Sequence, residues 1–407
     1  MRLKFIKNFI NDLYRQPLRT FLTLLGVVWG TMTIVLLLAF GEGLGKQMMK
    51  NAHGMGQGIM IIWPGRTTLS FKGISKGRAI RVAPDDLLFI KSRMPEIKYI
   101  SPEYNRRKRI TYKREESLNR VTGVNIEYGK MRNIIPERGR FIDNLDVKMK
   151  RRVCFIGDKI AKNLFHDENP IGKNIMVNGT PFLVVGVMIK KVQNSSYNGR
   201  DESRVFIPYT TYQSVFGNKF VDNFIVKFYH PEYSKIYLKK FRKYLGQRLG
   251  FSPEDKEALW VWDTTELDRF FKIFFFAFNL FLGIIGGFTL LVGGIGVASI
   301  MMVVVEERTK EIGIKMAVGA KTKTIMRQFF FESISIVFLG GIIGYSLSVI
   351  LVSIIPFDSI KEFVGVPEVN LIVGIVTILI LLLVGIISAL KPAKRAASIN
   401  PIEALRS

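Results

Sequence analysis

The sequence predicts a membrane protein: four transmembrane α-helices, one N-terminal and three C-terminal, with a mixed α/β extracytoplasmic domain inserted between the first and second. The first observation is that apolar residues are concentrated. The 407 residues are 48% hydrophobic, yet they carry 59 Lys and Arg against 33 Asp and Glu, a net charge of +26. Residues 20–41, 273–305, 333–357 and 369–390 contain no charged residue. Each run exceeds the roughly 20 helical residues needed to cross a hydrocarbon core about 30 Å thick. The second observation is the placement of basic residues beside these runs, and the third is the soluble-domain texture of residues 45–269.

Basic residues in short flanks set orientation. Arg2, Lys4, Lys7, Arg15 and Arg19 precede the first run; Arg308, Lys310, Lys315, Lys321, Lys323 and Arg327 separate the second from the third; Lys391, Lys394, Arg395 and Arg406 follow the fourth. The remaining short connection, 358–368, holds only Lys361. These counts put both termini in the cytoplasm and residues 45–269 outside it. The first run is longer than the apolar core of a signal peptide and is followed by no small-residue cleavage site, so it is expected to be retained.

The predicted organisation is therefore 1–44 (an N-terminal helix and span 1), 45–269 (the external domain) and 270–407 (spans 2–4, a cytoplasmic loop at 306–332 and a tail). Leu3, Ile6, Phe9, Ile10, Leu13 and Tyr14 recur at helical spacing before Pro17, which suits either an interfacial amphipathic helix or a plain helical extension. In the external domain, strands are predicted near 59–63, 99–101, 109–112, 120–124, 153–156, 205–207 and 224–228. Helices are predicted over 84–93, 158–165 with Asp158 as its cap, and 231–249. Asn178-Gly179, between 174–177 and 182–187, is a hairpin signal. Asp263 and Glu266 mark a helix start that runs directly into span 2. Such a helix would exceed the bilayer and project as a stalk; a break at Gly286-Gly287 or Gly293-Gly294 is the alternative.

Several chemistries are excluded or weakly supported. Cys154 is the single cysteine, which excludes an internal disulfide framework, and His53, His166 and His230 are far apart, leaving no evident metal site. Gly45-Lys46, Gly129-Lys130 and Gly172-Lys173 lack the context of a phosphate-binding loop. Gly73-Ile74-Ser75-Lys76-Gly77 matches a nucleophile-elbow pattern, but the required strand and helix do not flank it; a hydrolase reading would rest on Ser75 alone. Asp85-Asp86 and Glu115-Glu116 are adjacent carboxylates that do not share a face. The apolar runs contain no ionisable group, which argues against an ion pump or proton-coupled transporter. They do contain small residues at helix-packing spacing: Gly283 and Gly287, Gly294 and Ala298, Gly340 and Gly344.

The most specific stretch is 306–332, EERTKEIGIKMAVGAKTKTIMRQFFFE. It reads as a charged continuation of span 2, a Gly319-Ala320 turn and a helix re-entering the membrane. Its apolar residues Ile312, Ile314, Met316, Ala317 and Val318 suit either a protein partner or the membrane surface. With Glu306, Glu307-Arg308, Glu311-Ile312-Gly313, Ala317, Gly319-Ala320 and Glu332, the segment resembles the coupling segment of MacB/FtsX-type permeases of ABC transporters. The tail, with Pro392-Ala393, Ala396 and Asn400-Pro401-Ile402-Glu403-Ala404-Leu405-Arg406, is similar to that family's C-terminal signature, as is the opening Leu18-Arg19-Thr20 … Leu25-Gly26. In the external domain, Gly139-Arg140-Phe141, Ile156-Gly157, Leu164-Phe165, Pro170-Ile171-Gly172-Lys173, Val185-Gly186-Val187 and Ile207-Pro208 resemble the MacB periplasmic core domain.

The resemblance implies a permease subunit of an export-type ABC transporter in the bacterial cytoplasmic (inner) membrane, itself not an enzyme. ATP and magnesium would be held by a separate ATPase subunit, because MacB begins with a nucleotide-binding domain whereas this chain starts almost at span 1. It further implies pairing with a second permease, identical or paralogous, and ATPase contact through residues 306–320. Members of the MacB branch also work with a membrane-fusion adaptor and an outer-membrane channel. Alternatives within the family are lipoprotein release, as in the LolC/LolE branch, and FtsX-like regulation of cell-wall hydrolases, although FtsX-like regulators carry a smaller external domain. Residues 46–269 hold 42 Lys and Arg against 23 Asp and Glu, a surplus of 19. On this topology that charge lies outside the cytoplasm, which rules out nucleic acid as a partner. The clusters at 106–109 and 148–152 are either solvated faces or contacts for anionic lipid, acidic cargo or an adaptor.

Overall fold

The structure, a computed structural model, describes residues 17–191, 193, 196–357, 361, 364–400 and 404. The helix expected around residues 3–14, and residues 401–403, 405 and 406 of the tail motif, lie outside the described residues. The elements in chain order begin with α1 (Pro17–Ala52), β1 (Ile59–Pro64), α2 (Pro84–Arg93), β2 (Ile97–Tyr112), β3 (Glu115–Val124) and α3 (Ile126–Met131). They continue with β4 (Pro136–Gly139), α4 (Asn144–Lys148), β5 (Val153–Ile156), α5 (Asp158–Phe165), β6 (Asn174–Val177), β7 (Thr180–Met188), β8 (Arg204–Pro208) and α6 (Tyr209–Phe216). The last are β9 (Asn223–Phe228), α7 (Ser234–Leu249), β10 (Leu259–Asp263), α8 (Thr264–Glu307), α9 (Thr309–Ala317), α10 (Thr322–Ile354) and α11 (Leu371–Ala397). The chain divides into two compact units, Met49–Lys272 and the remainder.

In Met49–Lys272, ten strands form one sheet in the order β10-β1-β9-β2-β3-β8-β5-β7-β4, with β6 bridging β2 and β7. The sequence suggested two separate strands, near 99–101 and 109–112, where β2 runs unbroken for 16 residues through Pro102. β2 pairs with β9 as far as Glu103 and with β3 from Tyr104 onward. Pro102 thus sits where only one flank is paired, and its missing N–H is tolerated there. The hairpin at Asn178-Gly179 is as expected: both residues have positive φ, 49° and 83°, the geometry of a type I′ turn. Asp158 opens α5 as its first residue, while Gly157 holds the cap position. Two apolar clusters fill the unit. One, around Tyr104, Phe182, Phe224 and Phe241, packs beneath α2, α5 and α7. The other, around Tyr128, Phe155 and Phe206, involves α3.

In the membrane unit, α1, α8, α10 and α11 are long and apolar enough to cross a membrane. Helix α8 is continuous for 44 residues, about 66 Å at 1.5 Å per residue, with no break at either glycine pair. Asp263 accepts the Thr265 N–H at 2.9 Å, which satisfies one of the donors left free at a helix start. Helix α1 extends beyond its charge-free run and includes Glu42 and Lys46. Lys46 pairs with Glu42 at 3.5 Å and also with Glu368, whose N–H donates to the Ala39 carbonyl at 3.1 Å.

Candidate coupling site and its supports

The 306–332 segment separates into residues that anchor and residues that face outward. Helix α8 ends at Glu307, and Arg308 caps a separate nine-residue helix, α9, where the sequence suggested an uninterrupted continuation. Ile312 and Gly313 are buried, Ile312 in a cluster with Met301, Val305, Ile325, Phe329, Ala393 and Ala396. Arg308 is half-buried, and its Nη1 lies 3.7 Å from a carboxylate oxygen of the buried Glu332, which also accepts from Gln328 at 3.0 Å. Glu332 therefore ties the α8–α9 junction to α10. Glu306, Glu307, Glu311, Ile314, Ala317, Val318 and Gly319 are exposed, and Ala320 is half-buried. Val318 reaches 84% exposure, high for a β-branched apolar residue beside a helix end.

Gly319 makes the turn. Its φ is +99°, and a Cβ placed there would meet nothing within 4 Å, so the demand for glycine comes from backbone conformation rather than space. Together with the exposed Lys310 and Lys315, these residues present a small face of mixed charge and apolar groups on a helix held from beneath.

The membrane helices meet at small residues. A Cβ on Gly340 would approach Val27 at 2.8 Å, and one on Gly344 would lie 2.6 Å from the Val28 carbonyl oxygen. Gly294 faces Val384 and Ser388 of α11, and Ala298 is half-buried one turn on. Gly283 barely reaches Leu38, at 3.8 Å, and Gly287 meets nothing within 4 Å. The α1–α8 seam instead uses Gly286 against Ile34, Gly293 against Gly26, and Gly30 against Leu290. Spacing identified small-residue pairs on α8, but the face that meets α1 through Gly286 is offset by about 60° from Gly283 and about 100° from Gly287.

Within Met49–Lys272, sequence reading missed a buried ion cluster. Arg132 places Nη2 at 2.8 Å and 3.1 Å from the two Asp201 carboxylate oxygens, and its Nη1 donates to the Met55 carbonyl at 2.7 Å. Lys191 Nζ reaches Asp201 at 2.8 Å. Arg204 donates to Glu103 at 3.2 Å and to the carbonyls of Tyr197 and Gly199. Glu103 also accepts from Tyr197, Asn223 and Tyr128. Arg132, Asp201 and Glu103 are wholly buried. Burial opposes ionisation of Asp201, yet Arg132, Lys191 and Arg204 overcome it and hold its carboxyl well below the usual range. Burial lowers the Lys191 pKa, with Asp201 opposing. The cluster draws on β2, β8, β9, α3 and the residues following β7, and it fixes the turn at Met55 that follows α1.

The motifs set aside by sequence stay apart. Ser75 lies on an exposed turn between Gly73 and Gly77, both at positive φ. Among the described residues no group of three His, Cys, Asp or Glu side chains is placed to hold a metal ion.

A sheet-based domain lying in the chain between the first and second of four apolar helices is the layout of a multi-pass membrane protein with one large connection. The sequence matches the MacB-like periplasmic core domain over residues 20–235 and the FtsX-like permease C-terminal region over residues 283–401, and the chain belongs to this family. The macrolide export ATP-binding/permease protein MacB of Vibrio parahaemolyticus is 30% identical over 95% of this chain and 57% of its own length. That of Bdellovibrio bacteriovorus is 30% identical over 96% of this chain and 60% of its own length. The chain thus spans less than two thirds of these relatives. The crystal structure of the periplasmic region of MacB from Actinobacillus actinomycetemcomitans aligns with a TM-score of 0.44 and 18% identity, over 55% of this chain and 97% of that one.

Proposed function

We propose that this chain is the permease subunit of an ABC transporter of the inner membrane. On this reading a separate ATPase binds the outward face of α9 at the cytoplasmic surface, with both chain termini on that side. ATP-driven movement passes along α8 to the external domain and drives export. The permease would act as a pair with an identical or related chain, and an adaptor and an outer-membrane channel would complete the path in a double-membrane cell. ATP and magnesium belong to the ATPase partner.

The observation that carries the reading is the exposed Glu311, Ile314 and Val318 face on a short helix. Ile312 anchors that helix, and the Arg308–Glu332 contact braces its junction with the end of an unbroken 44-residue helix. Apolar groups exposed beside charges of both signs (Glu311, Lys315), on a rigid support, suit a protein partner with complementary charged and apolar surface.

Affinity purification of the full-length chain from its native membrane tests this. An ATPase subunit is expected to co-purify, and Glu311→Arg is expected to lower its recovery at least tenfold while the permease stays monodisperse. Recovery unchanged by Glu311→Arg, paired with Val318→Asp, would remove α9 as the docking element. Failure to recover any ATPase would defeat the transporter reading itself.

A further inference from the structure

Three arginines from three neighbouring strands share one row of the sheet. Arg107 on β2 is the register partner of Arg120 on β3, and Arg120 is the partner of Arg204 on β8. Residues paired in this way project to the same face, and like charges directly opposed destabilise the pairing. Two neighbouring cations are paired with carboxylates, Arg106 with Asp222 at 2.8 Å and Arg109 with Glu116, while Lys108 stands over the Phe216 ring.

Arg107 and Arg120 differ from these neighbours. Among the described residues neither makes an ion pair with a carboxylate, and Arg120 donates only to the Asn105 amide oxygen, at 3.2 Å. Arg204, their neighbour in the row, is committed to Glu103 and two backbone carbonyls, and Glu103 already accepts from five side chains. Burial, followed by the fields of Arg204 and Arg107, pushes the Arg120 pKa down, and the opposing influence of Glu103 and Asp222 does not cancel this. The fold therefore sets Arg107 and Arg120 side by side, neither in an ion pair among the described residues, next to an Arg204 whose charge is already matched by Glu103 and Asp201. The cross-strand register thus sets arginine opposite arginine at positions where a carboxylate would have neutralised the row.

We propose that Arg107 and Arg120 form a binding site for a phosphate group, with Arg204 as a fixed charge beside it that makes no contact with the ligand. Two planar forks side by side offer more donors than one carboxylate can accept, whereas a phosphate presents several acceptor oxygens and up to two negative charges. The phosphate can be free or carried by an amphiphile headgroup. The site is independent of the transport reading, since nothing in it depends on an ATPase partner.

The test uses the full-length chain in zwitterionic detergent and phosphate-free buffer at constant ionic strength. Inorganic phosphate and pyrophosphate are titrated by calorimetry and thermal shift, with acetate as the carboxylate control. A second arm compares short-chain phosphatidylglycerol with phosphatidylcholine of equal chain length. Saturable binding of free phosphate or of the anionic lipid, weakened at least tenfold by both Arg107→Gln and Arg120→Gln and less than twofold by Arg106→Gln, is expected. The arm that responds identifies the source. Without ligand, Arg120→Gln is expected to raise the melting temperature by relieving the like-charge row. Should Arg120→Gln fail to fold, the exposed Arg107→Gln still decides the matter. No saturable binding in either arm, equal weakening by Arg106→Gln, or acetate binding as tightly as phosphate would each overturn the proposal.

Discussion

Replacing Asp201 by Ala is expected to destabilise the Met49–Lys272 unit by about 3–5 kcal/mol, because it leaves Arg132 and Lys191 buried without their carboxylate. For a unit of this size, that corresponds to a fall in melting temperature of roughly 6–20 °C, measurable for the purified full-length chain by circular dichroism. The size of the effect reflects the uncompensated cations more than the intrinsic strength of the pair. Arg132→Met combined with Asp201→Ala should therefore cost less than the two single changes added together, a non-additivity of 1 kcal/mol or more. Equal and additive losses would mean that water enters the cluster and does the work assigned to Asp201.

The pH dependence has a definite sign. The Asp201 carboxyl is depressed in the folded chain, so its stabilisation is complete above the unfolded value of about 3.9 and is lost as pH falls through the folded value. Asp201→Asn should flatten that acid limb and leave the neutral-pH loss in place.

The second large effect is expected at Gly344. Its missing side chain lets α10 approach α1 so closely that a Cβ would sit 2.6 Å from the Val28 carbonyl oxygen and 2.8 Å from the Thr31 Cβ. Those are backbone and rigid β-branched atoms, which cannot step aside as the end of a flexible chain could. Gly344→Leu must separate the two helices, and overpacking of this kind costs about 1–3 kcal/mol or more. The expected result is loss of a monodisperse peak on size-exclusion chromatography. Gly287→Leu, at a position where a Cβ meets nothing within 4 Å, should leave the monomer's own packing intact. Equal tolerance of both changes would show that the α1–α10 seam is loosely packed.

These two sites mark the boundary of what sequence could show. The four membrane helices were legible because an uninterrupted run of 22 or more uncharged residues has few other physical meanings. The hairpin at Asn178-Gly179 was legible because its turn type demands those residues. The glycine pairs were legible only in part. Spacing of four places two glycines on one face, but neither Gly283 nor Gly287 says which helix that face meets, and the seam fell to Gly286 and Gly293 instead. The cluster of Glu103, Arg132, Lys191, Asp201 and Arg204 left no signal. Its members are spread over about 100 residues, and each alone looks like any solvated charge. What buries them is strand order, with β2, β3 and β8 side by side, and that order is set by non-local pairing. Likewise, the anchoring roles of Ile312 and Gly313 differ from the exposure of their neighbours Glu311 and Ile314 only once α9 is seated on the membrane unit.

Helix α8 has a consequence of phase. With no break in its helical run and about 3.6 residues per turn, the directions faced by Ile273 and Glu307, both in the membrane unit, are locked together like marks at the two ends of a threaded rod. Deleting one residue from its middle shortens the rod by only about 1.5 Å but rotates one end by about 100° against the other. Deleting seven restores the angle to within about 20°, at the cost of about 10 Å. If activity follows angle, a one-residue deletion is the more damaging change; if it follows length, the seven-residue deletion is. The unbroken helix thus turns a question about motion into one that counting residues can answer.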